Sequence, residues 1–150
     1  MEVTVAESRQ LCTFVVDGLL LGIDVRQVQE VFRSQEMTAV PLADPSVAGL
    51  LNLRGQIVTA IDLRTRLGLG PRPDGIDPMH VVIRTDDGAV SLLVDEIGDV
   101  IESGDDVLER PPETLVGGVR RMIQGVYKLA GRLLLVLDTE TALTFDVVRG

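Results

Sequence analysis

The sequence GLLNLRGQIVTAIDL occupies residues 49–63 and decides the fold. Two apolar runs flank a polar turn around Arg54-Gly55, and Asp62 follows the second run at a place where a helix can begin. Apolar strands joined by a short turn that contains glycine are typical of a β-hairpin. Arg54 is the one charge before Asp62, so it is either paired within the protein or exposed for a partner.

The same pattern returns 76 residues later. Four positions are identical in the two copies: Gly49 and Gly125, Leu53 and Leu129, Gly55 and Gly131, and Asp62 and Asp138. Glycines at equivalent positions indicate backbone that needs a positive φ or a close approach to another segment. The turn itself differs, because Asn52 and Arg54 are replaced by Lys128 and Ala130. We therefore interpret the shared positions as scaffold and Arg54 as the better candidate for function.

Two further segments match at a spacing of 69 residues, which pairs Val28 with Ile97 and Val31 with Val100. These apolar residues recur every three positions after an aspartate that can cap a helix, Asp24 in one segment and Asp95 in the other. The sequence therefore predicts two short helices, each with one apolar face.

Short apolar segments separated by turns such as Asp17-Gly18 and Asp87-Gly88 predict a mostly β protein. Each copy has about 60 residues, too few for a large core of its own, so the copies should share a hydrophobic core. We expect two small β-barrels related by pseudo-twofold symmetry. They would form a single domain over residues 1–150, with subdomains at about 10–70 and 79–145 and a Pro/Gly-rich linker at about 70–78.

The composition excludes several classes of function. The net charge is −9 and the basic residues are scattered, which argues against binding to nucleic acid or to an anionic membrane. Cys12 is the single cysteine, so no internal disulfide forms and a reducing compartment fits. Neither a signal peptide nor an apolar run of membrane-spanning length is evident. A cytoplasmic protein without direct membrane insertion is expected.

No catalytic residue, metal site or cofactor site is predicted. His80 is the one histidine, and its neighbours predict a packed strand residue rather than a member of a catalytic set. Cys12 lies in an apolar strand and is interpreted as core. Asp62 and Asp138 are better explained as helix caps than as catalytic carboxylates. The acidic pairs Asp86-Asp87 and Asp105-Asp106 are interpreted as surface turns.

An ordered set of motifs resembles the CheW-like coupling proteins of bacterial chemotaxis over about residues 10–145. The motifs are FVVDG at 14–18, LGI at 21–23, VQEV at 28–31, VP at 40–41, GLLNLRG at 49–55, IDLR at 61–64, LVDEI at 93–97 and GV at 125–126. The resemblance implies two five-stranded barrels around a common core. It also implies a non-catalytic adaptor that couples the cytoplasmic tip of methyl-accepting chemotaxis receptors to the regulatory domain of the histidine kinase CheA.

The resemblance also implies which residues bind each partner. The receptor would occupy a groove between the barrels and contact four residues: Val28, Asn52, Arg54 and Ile97. The kinase would contact three: Glu30, Val31 and Glu113. Two positions depart from the family pattern, since Thr59 replaces a common proline and Thr114 replaces an aromatic or other large residue.

Several alternatives stay open at this point. Arg54 either forms an internal ion pair with Glu30 or contacts a partner directly, and both roles can coexist. Val28 and Ile97 are alternatively core residues, and Glu113 is alternatively a solvated turn residue. The protein could serve another chemosensory-type pathway, such as surface motility, or could bind a small ligand in the groove.

Overall fold

The computed structural model describes residues 9–33, 35–115 and 117–144. Within these ranges the chain forms ten strands, three short α-helices and a single 3-10 turn at Val25–Gln27. The strands are β1 (Gln10–Val16), β2 (Leu19–Asp24), β3 (Val28–Phe32), β4 (Val47–Leu53), β5 (Gln56–Asp62), β6 (Met79–Thr85), β7 (Gly88–Val94), β8 (Glu96–Glu102), β9 (Ile123–Leu129) and β10 (Arg132–Leu137). The helices are α1 (Leu63–Arg66), α2 (Gly117–Arg121) and α3 (Thr139–Leu143).

The strands form two five-stranded sheets. The first sheet has the order β8-β1-β2-β10-β9 and the second has the order β3-β6-β7-β5-β4. Each sheet therefore combines the first hairpin of one sequence copy with the last three strands of the other copy. Residues 70–78 contain no strand or helix. The contiguous subdomains predicted on either side of them do not coincide with the sheets.

The predicted barrels are only partly correct. In the described part of the chain, no strand pairing joins β8 to β9 or β3 to β4, so both sheets are open. The edges of the second sheet nevertheless approach each other, because Glu30 on β3 forms an ion pair with Arg54 in the β4–β5 turn. Each sheet encloses a small apolar cluster, centred on Leu51 and Val58 in the second sheet and on Leu20 and Leu134 in the first.

The two predicted helices are strands instead. Val28 and Val31 lie on β3, and Ile97 and Val100 lie on β8. β-branched side chains restrict χ1 and pack well on a pleated surface, which favours an extended backbone at these positions. Only the three residues after Asp24 become helical, and Asp24 accepts a hydrogen bond from the backbone of Arg26.

β3 pairs with β6 in the same register in which β8 pairs with β1. Val31 is opposite Val81 and Val100 is opposite Cys12, while Val28 is opposite Ile83 and Ile97 is opposite Phe14. A register shift follows at the same place in both pairs. The residues that match at a spacing of 69 therefore occupy equivalent positions on β3 and β8, the edge strands of the two sheets.

The predicted shared core is present between the sheets. It contains buried side chains from strands of both sheets, including Phe14, Leu21, Ile61, Leu92 and Leu135. Val28 and Ile97 pack against this core as partly buried residues, so the interpretation of both as core residues is correct as far as packing is concerned.

The paired glycines mark close backbone approaches. A Cβ atom added to Gly49 would lie 2.8 Å from the carbonyl oxygen of Thr38, and one added to Gly125 would lie 2.5 Å from that of Glu109. Thr38 forms a bridge with Leu50, and Glu109 forms the equivalent bridge with Val126. Only glycine fits where these connecting segments lie against β4 and β9.

One hairpin turn differs by a residue from the prediction. Asp86 and Asp87 form the turn between β6 and β7, and Gly88 is already the first residue of β7, with a φ of 116°. Thr85 closes this turn, because its hydroxyl donates to the Gly88 carbonyl and accepts a hydrogen bond from the backbone of Asp87.

Asp95 was predicted to cap a helix, but it joins the two sheets instead. Its carboxylate accepts hydrogen bonds from Arg64 at 2.6 Å, from Arg72 at 3.0 Å and from the backbone N–H of Asp17 at 2.7 Å. Asp17 lies in the β1–β2 turn of the first sheet, whereas Arg64 belongs to α1 beside the second. Burial alone would raise the pKa of Asp95, but these hydrogen bonds outweigh it and hold the pKa at about 2.

We expect Asp95→Asn to lower the free energy of unfolding at pH 7 by about 3 kcal/mol, because the buried Arg64 would lose its carboxylate partner at 2.6 Å and keep the more distant Asp17, at 3.5 Å. The folded pKa lies below the unfolded value, so the carboxylate stabilises the fold fully above about pH 4 and loses its effect toward about pH 2. Urea denaturation between pH 7 and pH 3 should show the difference between the two proteins narrowing below about pH 4.

Asp105→Asn is the matched control, since Asp105 lies in an exposed turn. It should change the free energy of unfolding by less than about 0.5 kcal/mol. A constant difference between wild type and Asp95→Asn across the acid range would contradict the role assigned to the carboxylate.

Candidate partner-binding site

The β4–β5 hairpin holds Arg54 in a strained conformation. Arg54 has a φ of 53° and Gly55 a φ of 84°, so both residues of the two-residue turn are left-handed, as a type I′ turn requires. The Asn52 side chain supports the turn by accepting a hydrogen bond from the Gly55 N–H at 2.9 Å. A residue other than glycine at such a φ costs about 1 kcal/mol. The hairpin keeps an arginine there despite this cost.

Arg54 and Glu30 form an ion pair, which was one of the two alternatives for Arg54 in the sequence analysis. The two nitrogens of the guanidinium lie 2.8 and 3.3 Å from the two carboxylate oxygens of Glu30. The arginine side chain remains 77% exposed and the glutamate side chain 20% exposed. An exposed pair of this kind adds at most about 1 kcal/mol to stability. The guanidinium therefore connects the two edges of the second sheet and still presents most of its surface to solvent.

The predicted partner-binding residues fall into separate regions. Arg54, predicted for the receptor, contacts Glu30, predicted for the kinase. Asn52 supports the turn that carries Arg54, and Val31 follows Glu30 on β3. Val31 is 37% exposed on the edge strand β3. The two predicted sets therefore meet at the Arg54–Glu30 contact. We name the region around this contact the β3 surface, which includes Glu30, Val31, Asn52 and Arg54.

The remaining predicted residues lie outside the β3 surface. Val28 begins β3 and is partly buried against the shared core, and Ile97 has the equivalent position on β8 of the other sheet. Glu113 is exposed in the turn that precedes α2. The structure thus brings together four of the seven residues that the resemblance suggested.

Ile57 is an exposed apolar residue that the sequence reasoning missed. It is opposite Asn52 in the β4–β5 ladder and is 63% exposed. The signal was available, because side chains alternate along a strand and Val58 is completely buried. Ile57 therefore had to point outward, opposite Asn52 in the hairpin.

An open groove of about 660 Å³ lies between β5, β7, the β6–β7 turn and α3. Thr59, Val90, Glu140 and Leu143 are among its lining residues. Gln27 also lines the groove and donates a hydrogen bond to the Thr139 hydroxyl at 3.0 Å. None of the four predicted receptor-binding residues lines it, although Val28 follows Gln27 directly.

The residues considered for catalysis have structural roles. His80 is buried, its Nδ1 lies 2.8 Å from the Ser91 hydroxyl, and its ring stacks on Phe32. Burial lowers the pKa of His80, which favours the neutral imidazole. Cys12 is buried as predicted, and burial raises the pKa of its thiol.

Asp62 and Asp138 cap helices as predicted. The side chain of Asp62 accepts from the Arg64 N–H, and that of Asp138 accepts from the Thr141 N–H. The described residues contain no group of three or more His, Cys, Asp or Glu side chains that could hold a metal ion.

Comparing Arg54→Gly with Arg54→Ala tests the strain in the hairpin. Both variants lose the ion pair with Glu30, but only glycine adopts a positive φ without cost. Arg54→Gly should therefore have a free energy of unfolding about 1 kcal/mol higher than that of Arg54→Ala, measured by urea denaturation.

The equivalent residue of the other hairpin provides the control. Ala130 does not have a positive φ. Ala130→Gly should accordingly lower the free energy of unfolding by about 0.5 kcal/mol or more, because glycine gains more entropy on unfolding. If Arg54→Gly were no more stable than Arg54→Ala, the hairpin would not be strained at Arg54.

The helices in the described ranges have neither the length nor the apolar character that a membrane span requires.

Comparison with known proteins identifies the family. The sequence model of the CheW-like domain matches residues 10–146. The chemotaxis protein CheW of Bacillus subtilis is 31% identical over 95% of this chain and 92% of that protein. The chemotaxis protein CheW of Treponema pallidum is 30% identical over 88% of this chain and 80% of that protein.

A solved structure agrees with the fold described above. The crystal structure of the scaffolding protein TtCheW from Thermoanaerobacter tengcongensis superimposes with a TM-score of 0.77 at 25% sequence identity. The match covers 88% of this chain and 90% of that one. Because the family match spans nearly all of the described residues, the chain belongs to the CheW-like domain family of non-catalytic chemotaxis scaffold proteins.

Proposed function

We propose that this protein couples the cytoplasmic tips of methyl-accepting chemotaxis receptors to the regulatory domain of the histidine kinase CheA. It would act in the cytoplasm, without a cofactor, by holding the two partners in a fixed arrangement. The observation that carries the proposal is the Arg54–Glu30 pair of a CheW-like fold, in which the arginine side chain remains 77% exposed.

The receptor contact is proposed for Asn52 and Arg54, with Val28 and Ile97 contributing apolar surface. A receptor tip is a helical hairpin, and a helix face binds through a few apolar anchors surrounded by polar contacts. The left-handed turn places Arg54 at the tip of the β4–β5 hairpin, and Glu30 on β3 fixes the orientation of its guanidinium at 2.8 Å. An arginine held in this way loses less side-chain entropy when it binds.

The kinase contact is proposed for the edge strand β3, through Glu30 and Val31, and for Glu113. An edge strand has backbone groups available for pairing and an outward-facing side chain at every second position. Val31 supplies the outward-facing apolar side chain here. Glu113 lies in an exposed turn and would contact the kinase separately.

Signal transmission would then require a stiff connection between the two contacts. A change in the receptor shifts the population of receptor–adaptor–kinase arrangements, and a rigid adaptor passes this shift on. The buried ion pairs of Asp95 and the shared core join the two sheets over a large contact. The same arrangement could equally serve another chemosensory-type pathway, such as surface motility.

Binding of a small ligand is the second candidate, and the open groove favours it. Its volume of about 660 Å³ lies in the range typical of ligand pockets. Ligand-dependent increases in the melting temperature in a metabolite screen would support this function.

A charge exchange between Glu30 and Arg54 tests the coupling role. We expect Arg54→Glu to weaken binding to a purified receptor-tip fragment by roughly tenfold or more, because like charges at an interface repel. The double variant Glu30→Arg/Arg54→Glu re-forms an internal pair but presents the wrong charge to the receptor. It should therefore remain impaired, as measured by isothermal titration calorimetry.

Lys128→Glu is the matched control, because Lys128 is an exposed cation on the equivalent hairpin of the first sheet. It should leave receptor binding within about twofold of wild type. Full recovery in the double variant would mean that only the internal ion pair matters and that the charge at residue 54 makes no contact with the receptor. If the wild-type chain bound neither the receptor fragment nor a CheA regulatory domain, the proposed function would be wrong.

A further inference from the structure

The open groove has an equivalent place in the other half of the repeat. α1 and α3 are related by the spacing of 76 residues, and the β1–β2 and β6–β7 turns are related by the spacing of 69 residues. The groove is lined by α3 and the β6–β7 turn, together with β5 and β7. Its equivalent place is therefore bounded by α1 and the β1–β2 turn.

The linker covers this equivalent place. Arg64 of α1 lies 3.5 Å from the carboxylate of Asp17 in the β1–β2 turn, so the helix and the turn are adjacent. The same guanidinium donates hydrogen bonds to the carbonyl oxygens of Gly70 and Pro71, both at 3.1 Å. Arg72 follows, and its side chain is only 11% exposed. A segment without regular secondary structure that carries an arginine is thus held at the place that corresponds to the groove.

The charges at the two places differ. Glu140 on α3 stands where α1 has Arg64, whereas Asp86 keeps the acidic character of Asp17. Asp87 adds a third carboxylate to the lining of the groove. Within the described ranges, none of the three groove carboxylates takes part in an ion pair. The cation that pairs with the turn in the first half therefore has no counterpart on α3.

Arg84 does not supply this missing pairing. It is the one basic residue among the described residues that line the groove, and its guanidinium donates to the carbonyl oxygen of Arg26 at 3.1 Å. With three carboxylates and a single guanidinium, the groove has an excess of negative charge. Val90 and Leu143 add half-buried apolar surface to the same lining. The groove is thus complementary to a bound segment that combines a positive charge with an apolar side chain.

We propose that the groove is a docking site for a segment of a partner protein that lacks regular secondary structure and carries an arginine next to an apolar side chain. Arg64 holds the linker by donating to its carbonyl oxygens, but an ionised glutamate only accepts hydrogen bonds. Glu140 therefore requires a donor from the bound segment, and a guanidinium provides a charged one. The apolar side chain packs on Val90 and Leu143. This site goes beyond the proposed coupling function, since no residue of the β3 surface lines the groove.

The first experiment uses a peptide that copies the linker. The probe has the sequence of residues 69–73, Leu-Gly-Pro-Arg-Pro, with blocked ends, and is titrated into the isotope-labelled chain. The backbone NMR signals of Val90 and Leu143 should shift as the groove fills. Glu140→Lys should weaken binding by roughly tenfold, because like charges repel. Asp105→Lys changes the net charge equally in an exposed turn outside the groove and should stay within about twofold of wild type.

The second experiment reverses the charges. Glu140→Arg introduces at this place the residue type of Arg64. It should bind the same peptide with glutamate in place of arginine several-fold more tightly than the wild-type chain does, and it should lose affinity for the arginine peptide. Glu140→Gln, without charge, should fall between the two chains for both peptides. If Glu140 only stabilised α3, each variant would change the affinity for both peptides in the same direction, and the proposal would be wrong.

The outcomes separate this inference from the proposed function. If the arginine peptide shifts no groove signal, or if both peptides bind the wild-type chain equally, the docking site is wrong and the coupling function is unaffected. If the arginine peptide binds only a chain truncated after Thr144, the occupant is the chain's own following residues and the proposal is overturned. If a metabolite raises the melting temperature and neither peptide binds, the groove is a small-ligand site and the proposal is equally overturned.

Discussion

The structure depends on one topological constraint: neither half of the chain completes a sheet by itself. The β1–β2 hairpin is flanked by β8 and β10, and the β6–β7 hairpin is flanked by β3 and β5. Separating the halves would break backbone pairing in both sheets as well as the apolar contacts between them. The shared core and the Asp95 ion pairs therefore reinforce a connection that the hydrogen-bond ladders already impose.

The proposed functional surface uses positions at which the two sequence copies differ, whereas the positions that they share hold the fold. Glycines that allow close backbone approach recur at Gly49 and Gly125, and the capping aspartates recur in both copies. The hairpin tips do not recur, since the first carries a left-handed arginine and the second an alanine. A frame with two equivalent edges can thus present two chemically different surfaces to its partners.

The sequence predicted the local hairpins and helix caps of this fold better than the pairing of residues that are distant in sequence. Local signals were sufficient for the hairpins and for the helix caps at Asp62 and Asp138, because they involve neighbouring residues. The spacing of Val28 and Val31 fits a helix and not a regular strand. The register shift between Val28 and Glu30 in the pairing with β6 makes the strand irregular at this point, and the sequence does not reveal it. Asp95 was misinterpreted because its partners Arg64 and Arg72 are brought to it by tertiary structure. The pairing of Glu30 with Arg54 was anticipated as one alternative, whereas the exposure of Ile57 was not recognised.

The exchange of strands between halves also has a consequence for biosynthesis. The β1–β2 hairpin is made first, but its parallel neighbour β10 comprises Arg132–Leu137, more than a hundred residues later. Until β10 is synthesised, the backbone groups along the outer edge of β2 have no strand to pair with. Contacts between residues so distant in sequence also form slowly. A nascent chain in this state exposes apolar strands and is vulnerable to aggregation until the ribosome releases its last strands. The first sheet is therefore expected to close only after β10 has left the ribosome.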